Sequence, residues 1–429
     1  MFTSKLASLR NSTRGLNRLP LRRHFGSSLA QFSSAGSDLR LPLDDFTETE
    51  LQIRDLARQF ANERILPKID EMEQKGEISQ ELINETFELG LCGIEIPEKY
   101  GGSELNFMNN ILAIEEISKI DSSTAALVDV QNTLFNRTIL LEGSEAQKEK
   151  WLPKLATDTL GSFCLSEASC GSDAFALKCR ADDKGDHYVL NGQKNWITNS
   201  KEAGVYIVLA TVDPSKGYKG ITAFIVERSN PGITIGKPEN KVGLKASSTC
   251  AVFLDNCIVP KEDVLGEVGK GYKLAIGTLN EGRIAIASQL LGLAEGAYDY
   301  AMPYLRERKA FGRYIGDFQG LEFEYAQAAM EIHAARVMTY QAARMYEQGR
   351  PVAKEAAMAK LYASQVANKV STQCVQWMGG VGVINENRAQ KYFRDWIPGS
   401  IYEGSSQILK ETIAKLVKRD VSEGRRVWD

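Results

Sequence analysis

Val205-Tyr206-Ile207-Val208-Leu209, followed a dozen residues on by Ile221-Thr222-Ala223-Phe224-Ile225-Val226, interrupts a chain whose other apolar positions recur at helical spacing. These runs are short and rich in β-branched and aromatic residues, so they read as strands. Tyr188-Val189-Leu190 and Ala251-Val252-Phe253-Leu254 belong to the same set. Regular turn signals separate such runs over residues 161–271, which favours a barrel or sandwich over a parallel sheet with helical crossovers. Asn191-Gly192, between two runs, predicts a hairpin, because both central residues of a type I′ turn need positive φ.

On either side the period becomes helical. Leu51, Ile53, Leu56, Ala57, Phe60 and Ala61 form one stripe, and Leu82, Ile83, Phe87, Leu89 and Leu91 another; Pro97 and Gly101-Gly102 punctuate the run. Residues 284–305, 321–346 and 352–378 are rich in alanine and leucine, as bundle helices are. Pro351 marks a helix start and Gly379-Gly380 a helix end. The expected fold class is α+β multidomain: a helical domain over 45–160, a β-barrel or sandwich over 161–271 and a four-helix bundle over 272–418. The charged tail over 419–429 lacks an apolar period and is expected to be exposed.

A chain of 429 residues suggests two or three domains, and 43% hydrophobic with 25% charged residues is ordinary for a globular protein. No run of 18 apolar residues predicts a membrane span. Before Asp38 there is no acidic residue, but Lys5, Arg10, Arg14, Arg18, Arg22 and Arg23 lie among serines and scattered leucines. That is the pattern of a mitochondrial transit peptide over residues 1–37, pointing to the matrix; an untargeted tail is the alternative. Removal of those six charges takes the net charge from −3 to −9, which argues against a general nucleic-acid binder. Seven cysteines form no C-x-x-C pair, and beyond the leader only His187 and His333 remain, so no metal site is expected. There is no G-x-S-x-G and no Walker A sequence, and Gly269-Lys270-Gly271 meets Leu274 where a third glycine belongs.

The segment Ile401-Tyr402-Glu403-Gly404-Ser405-Ser406-Gln407 precedes an amphipathic pattern through Ile408, Leu409, Ile413, Leu416 and Val417. It places a carboxylate beside a glycine where free backbone N–H groups converge. A carboxylate there can take a proton alpha to a carbonyl while the N–H groups receive the developing negative charge. Glu403 also fits a first-turn acid complementing the helix dipole, and these seven residues alone favour that plainer reading while leaving both open.

Several dispersed motifs, in order, extend the pattern: Ile96-Pro97-Glu98-Lys99-Tyr100-Gly101-Gly102, Leu165-Ser166-Glu167 with Gly171-Ser172-Asp173, Trp196-Ile197-Thr198, Glu307-Arg308-Lys309-Ala310-Phe311-Gly312, Gln376-Trp377-Met378-Gly379-Gly380, and Tyr402-Glu403-Gly404. With this domain order the chain resembles the acyl-CoA dehydrogenase family of flavoenzymes from about Phe46 to about Leu416. The resemblance implies FAD as cofactor, with Phe163, Leu165, Ser166, Gly171 and Ser172 lining the flavin and Ser172 also lying toward the substrate. It sets the Trp196 indole against the isoalloxazine, beside Ile197, with Thr198 near the reacting nitrogen. Without it, Ser166 fits a turn hydroxyl and Trp196 a core residue.

Arg308 and Gln319 resemble residues that hold the diphosphate and adenosine part; alone, Arg308 fits a solvated helix charge. The family gives Gln376, Trp377, Met378, Gly379 and Gly380 to a neighbouring subunit's cofactor, implying a homo-oligomer, usually a tetramer, and adds Ser405, Ser406 and Gln407 to the cofactor contacts. Tyr218, Tyr272, Asn280, Glu281, Gly282 and Arg283 match positions facing the acyl-CoA, although Arg283 also fits a pairing with an acid in the bundle.

The implied reaction is α,β-dehydrogenation, with electrons passed to an electron-transfer flavoprotein. The family's base stands either at the glutamate of Tyr-Glu-Gly or just before the arginine of Asn-x-x-Arg. The second position is Gly282, which cannot act, and Glu281 is turned about 100° away along a helix; Glu403 is the expected base. Two departures stand out. Ser169-Cys170 replaces Gly-Ala, with strain expected if position 169 needs positive φ, and Trp396-Ile397-Pro398 lies close ahead of the base.

Gly217-Tyr218-Lys219-Gly220-Ile221-Thr222, Lys237-Pro238-Glu239-Asn240-Lys241 and Leu279-Asn280-Glu281-Gly282-Arg283 look like the members specific for short branched chains. They imply 2-methylbutyryl-CoA, from isoleucine breakdown, with butyryl-CoA or isovaleryl-CoA as the alternative. An acyl-CoA oxidase on the same fold, or a helical scaffold without cofactor, are the readings from other classes.

Overall fold

The computed structural model describes residue 43 and residues 45–426. The leader expected over residues 1–37 lies outside the described residues.

Helix α1 (Glu48–Phe60) opens on a capping box: the Thr47 hydroxyl accepts the Glu50 N–H at 3.2 Å, and the Glu50 carboxylate accepts the Thr47 N–H at 2.9 Å. Ile53, Ala57 and Phe60 of the predicted stripe are buried, while Leu51 faces out. α2 (Ile69–Lys75), α3 (Gln80–Glu88), α4 (Phe107–Ser118), α5 (Ser122–Asp129), α6 (Arg137–Glu142) and α7 (Glu145–Thr157) follow. Between α5 and α6 the ladder widens into π-helix over Val130–Asn136, all of it buried, and such widened turns often mark functional sites.

Strands β1 (Gly161–Cys164), β2 (Arg180–Asp183), β3 (His187–Thr198), β4 (Val205–Thr211), β5 (Ile221–Glu227), β6 (Ile233–Ile235), β7 (Thr249–Pro260) and β8 (Val264–Leu265) form one sheet in the order β6-β7-β3-β2-β4-β5-β8. β1 pairs with β4 in parallel, Gly161 opposite Val205. Every residue of β4 is buried because alternate side chains feed two cores. Val205, Ile207 and Leu209 pack with Phe135 and Leu152 of the helical layer, whereas Tyr206, Val208 and Ala210 pack with Tyr188, Leu190 and Val252 inside the sheet domain.

The hairpin expected at Asn191-Gly192 does not form. β3 runs through both residues, and its ladder with β7 slips between Leu190 and Gly192. The extra residue lies on β7, where Asn256 takes φ 48° and donates its N–H to Asn191 Oδ1 at 2.8 Å. Glycine is required at 192 by crowding: a Cβ there would lie 2.8 Å from Cys179 Cα. The chain turns instead between β2 and β3, with Gly185 at φ 100° and its N–H on Asp183 Oδ1 at 2.9 Å.

The bundle comprises α8 (Gly271–Glu307), α9 (Gln319–Glu347), α10 (Ala353–Met378), α11 (Ala389–Gly399) and α12 (Ser406–Ser422). Gly379 ends α10 at φ 60°. α12 runs beyond residue 418 into the tail expected to be exposed. There Asp420 is buried and accepts from Lys354 at 3.1 Å and Arg425 at 2.9 Å, so charge pairing replaces the missing apolar period. No helix among the described residues is long and apolar enough to cross a membrane.

Candidate active site

Glu403 stands on the turn between α11 and α12 in the left-handed conformation, φ 54°, followed by Gly404 at φ 99°. A non-glycine residue there is strained and needs its surroundings to hold it. Three consecutive carbonyls of the turn are held by cations. Lys360 Nζ, from α10, donates to Tyr402 O and Gly404 O at 2.8 Å each, and Arg283 Nε, from α8, donates to Glu403 O at 3.3 Å. Ser405 Oγ accepts the Ile408 N–H at 3.4 Å and caps α12. The Tyr402 hydroxyl donates to Gln289 Oε1.

The carboxyl points inward. Glu403 Oε2 is buried and has no hydrogen-bond partner. It lies against Gly282, where a Cβ would sit 2.9 Å from Oε2 and 3.0 Å from Leu134 Cδ2. Glycine at 282 therefore does more than fail as a base; it makes the space the carboxyl occupies. Burial pushes the Glu403 carboxyl up to about 7, with Arg283 and Lys360 pulling the other way. Burial likewise drives Lys360 down to about 7, opposed by the charge of Glu403. Asp129, at the end of α5, is raised well above the usual carboxylate range by burial, with Glu403 adding to the rise.

Of the segment expected to face acyl-CoA, Asn280, Gly282 and Arg283 come together beside Glu403. Arg283 Nη1 donates to Asn280 Oδ1 at 3.0 Å, and its guanidinium holds the base's turn rather than pairing with an acid in the bundle. Glu281 is the exception. It is buried between helices at 3.2 Å from Arg137, so its place among the acyl-CoA-facing residues is not what the structure gives. Tyr218 and Tyr272 meet edge to face with ring centres 4.8 Å apart, and Phe175 packs on Tyr272.

Trp196 is the extra residue of a second bulge. The β3–β7 register shifts between Lys194 and Ile197, and Trp196 takes φ 63°. Its neighbours Lys194 and Ile197 are fully buried, yet the indole is 61% exposed, so it is not a core residue. Bulges re-aim side chains in this way beside active sites. Ser166 is brought next to it: the Asn195 N–H donates to Ser166 O at 2.9 Å, and Lys194 Nζ donates to Leu165 O at 3.1 Å and Glu167 Oε1 at 2.8 Å. Glu167 in turn accepts the Lys178 and Cys179 N–H groups. An exposed indole, a serine and Thr198 thus share one rim of the sheet.

The chain matches the N-terminal domain of acyl-CoA dehydrogenase over residues 47–159, the middle domain over 162–257 and the C-terminal domain over 269–418. It belongs to the acyl-CoA dehydrogenase family. A probable short/branched chain specific acyl-CoA dehydrogenase of Dictyostelium discoideum is 53% identical over 88% of this chain and 92% of its own. A mitochondrial short/branched chain specific acyl-CoA dehydrogenase of Bos taurus is 47% identical over 98% and 96%. Among solved structures, butyryl-CoA dehydrogenase from Megasphaera elsdenii superposes with a TM-score of 0.86 at 39% identity, covering 87% of this chain and 99% of that one. An acyl-CoA dehydrogenase from Bacillus anthracis complexed with FAD gives 0.83 at 32% identity, covering 89% and 68%.

Other positions that acyl-CoA dehydrogenase motifs point to divide by burial. Gly171, Ser172, Arg308, Gln319, Gln376, Gly379, Gly380 and Gln407 are exposed. Phe163, Leu165, Ile197, Trp377 and Met378 face inward, and the Trp377 indole donates to Glu324 at 2.7 Å. Ser405 and Ser406 serve the turn itself, the Ser406 hydroxyl donating to Ser400 O at 3.4 Å. Ser169 takes no positive φ, so the strain expected there is absent, and the buried Cys170 thiol donates to Asp173 O and Ala174 O. Lys360, Asp129, Gln289 and Leu134 escaped sequence reasoning. Each is remote from the Tyr-Glu-Gly motif in the chain, and a buried lysine within an alanine-rich helix pattern carries no local signal.

Proposed function

We propose that the chain is an FAD-dependent dehydrogenase of short branched acyl-CoA thioesters, converting 2-methylbutyryl-CoA to a trans-2-enoyl-CoA. The observation that carries this reading is the inward carboxyl of Glu403, unpartnered at Oε2 and set against a glycine. A carboxylate raised to about 7 is matched to proton abstraction near neutral pH. Glu403 Oε2 takes the α proton. The Glu403 N–H, with no acceptor among the described residues, is available to the thioester oxygen as negative charge develops there.

The rim of Trp196, Ser166 and Thr198 fits a flavin, because the outward-facing indole offers a flat surface on which a ring can stack. Arg308 offers a guanidinium fork to a diphosphate. FAD, when bound, supplies the acceptor for the β hydrogen, which leaves as hydride. Asn280 and Arg283 orient the thioester end, and the Tyr218–Tyr272 pair flanks the route of the longer CoA part. The relatives' specificity for short branched chains supports the substrate choice.

The acid-free leader and the mitochondrial relative support a matrix location. An electron-transfer flavoprotein is the acceptor of the electrons. A tetramer is supported by Phe323, Met330 and Val337, which lie seven residues apart on α9 and are 66%, 58% and 38% exposed.

The test is the flavin spectrum of purified protein before and after anaerobic addition of acyl-CoA thioesters. Bleaching is expected with 2-methylbutyryl-CoA. Faster bleaching by butyryl-CoA overturns the branched-chain choice, and a colourless protein that stays colourless with added FAD overturns the reading itself.

A further inference from the structure

Lys360 is fully buried in the third turn of α10, among Ala356, Ala359, Ala363 and Ser364. Among the described residues no carboxylate lies within ion-pairing distance of it, although a buried ammonium is costly to leave without one. Its two acceptors are the main-chain carbonyls on either side of Glu403.

We propose that Lys360 is a positioning residue for the reaction, fixing both the direction of the Glu403 N–H and the placement of its carboxyl by holding the Tyr402 and Gly404 carbonyls. The inference rests on the reading of Glu403 as the base. In a trans peptide the C=O and N–H point opposite ways. With the Tyr402 carbonyl drawn toward α10, the Glu403 N–H is directed away from α10. The Gly404 carbonyl, gripped by the same ammonium, closes the turn from its other side. Two successive left-handed residues, at φ 54° and 99°, are thereby kept in place on a long helix instead of relaxing.

Lys360 also acts on the base through its charge. The groups that face Glu403 are Arg283 from α8, Lys360 from α10, Asp129 from the end of α5 and the adjoining Tyr402. Arg283 and Lys360 favour the carboxylate, whereas a charge on Asp129 would oppose it. Without Lys360 only Arg283 remains on the favourable side.

The experiment compares full-length, FAD-loaded Lys360→Met and Lys360→Gln with wild type on 2-methylbutyryl-CoA, reading kcat, KM, FAD content and the pH profile of kcat. Methionine keeps the volume and removes every donor; glutamine keeps a donor without the charge. The expected result for Lys360→Met is FAD content and KM within about 3-fold of wild type, with kcat lower by about 100-fold, the scale for losing an aligned donor. The acid limb of its profile moves to higher pH. Lys360→Gln falls between the two in kcat and shares the shifted limb.

The proposal is overturned if kcat stays within about 3-fold of wild type in either variant. It is also overturned if kcat falls only in step with FAD loss, with an unshifted acid limb, which is what a purely structural lysine would give. Should the methionine variant not fold, the glutamine variant decides on the same criteria. Wild type inert toward every acyl-CoA would sink the parent reading, whereas active wild type with unaffected variants sinks only the role of Lys360.

Discussion

Glycine at 282 matters for what it leaves out. A methyl group there would sit 2.9 Å from Glu403 Oε2, closer than real contacts allow, so Gly282→Ala must push the carboxyl away. Displacements on this scale cost about 100-fold in rate; kcat should fall by at least about 10-fold with FAD content unchanged, measured by steady-state turnover and flavin absorbance. The pH dependence follows from the same carboxyl. Lifted from 4.5 to about 7, it is half ionised near neutrality, so kcat/KM of free enzyme should drop as pH falls below about 7. Its effect on stability has the opposite sense. The folded state binds this proton more tightly than the unfolded chain, so stability is present below pH 4.5 and is lost as pH rises through about 7. Glu403→Gln should therefore melt about 2 °C above wild type at about pH 8, the gap closing toward about pH 5, as read by thermal denaturation. The sequence was informative where motif and chemistry coincide: Glu403, Gly282 and Arg283, singled out by their motifs, stand together. It was silent on Lys360 and Gln289, which reach the turn only because α8 and α10 pack side by side.

Pro398 shows how an element prepares the turn that carries the base. It lies in the last turn of α11 and has no N–H, so the Arg394 carbonyl loses its helical donor. Gly243 packs onto that carbonyl so closely that a Cβ would lie 2.1 Å from it, while the Leu244 N–H donates to Asp395 Oδ1 at 2.7 Å. The Ile401 and Tyr402 N–H groups fold back on Pro398 O at 2.9 and 3.1 Å, ending the helix just ahead of Glu403. Gly243→Ala should destabilise the protein by about 1–3 kcal/mol, the range for overpacking a closed contact, and lower the melting temperature accordingly. Helix period located α8, α9 and α10 to within a few residues except at the start of α8, because long apolar stripes are robust signals. Asn191-Gly192 misled for a definable reason. A turn and a crowded bulge both demand glycine, and only the approach of Cys179 distinguishes them. Resemblance sets Trp196 against the flavin and hydrophobicity sets it in the core; the β3 bulge that turns it outward is invisible to both.

Across the whole molecule, the order helices, sheet, helices was legible because three regions differ in period. The partnership between them was not, since β4 serves two cores at once and joins them through alternate side chains. α9 carries an exposed apolar stripe through Phe323, Met330 and Val337. Phe323→Glu together with Met330→Glu should lower the mass measured by light scattering below that of wild type, because charged residues at those positions oppose burial. An unchanged mass would place the subunit contact elsewhere. In the proposed reaction one carboxyl, Glu403, removes the proton that lets the flavin be reduced. The most direct measurement of this step is anaerobic rapid mixing of FAD-loaded wild type and Glu403→Gln with 2-methylbutyryl-CoA, following flavin absorbance. Wild type should bleach rapidly while the variant, with its full complement of FAD, bleaches at a rate lower by about 1000-fold; bleaching of the variant at a rate near that of wild type would mean that another group takes the proton.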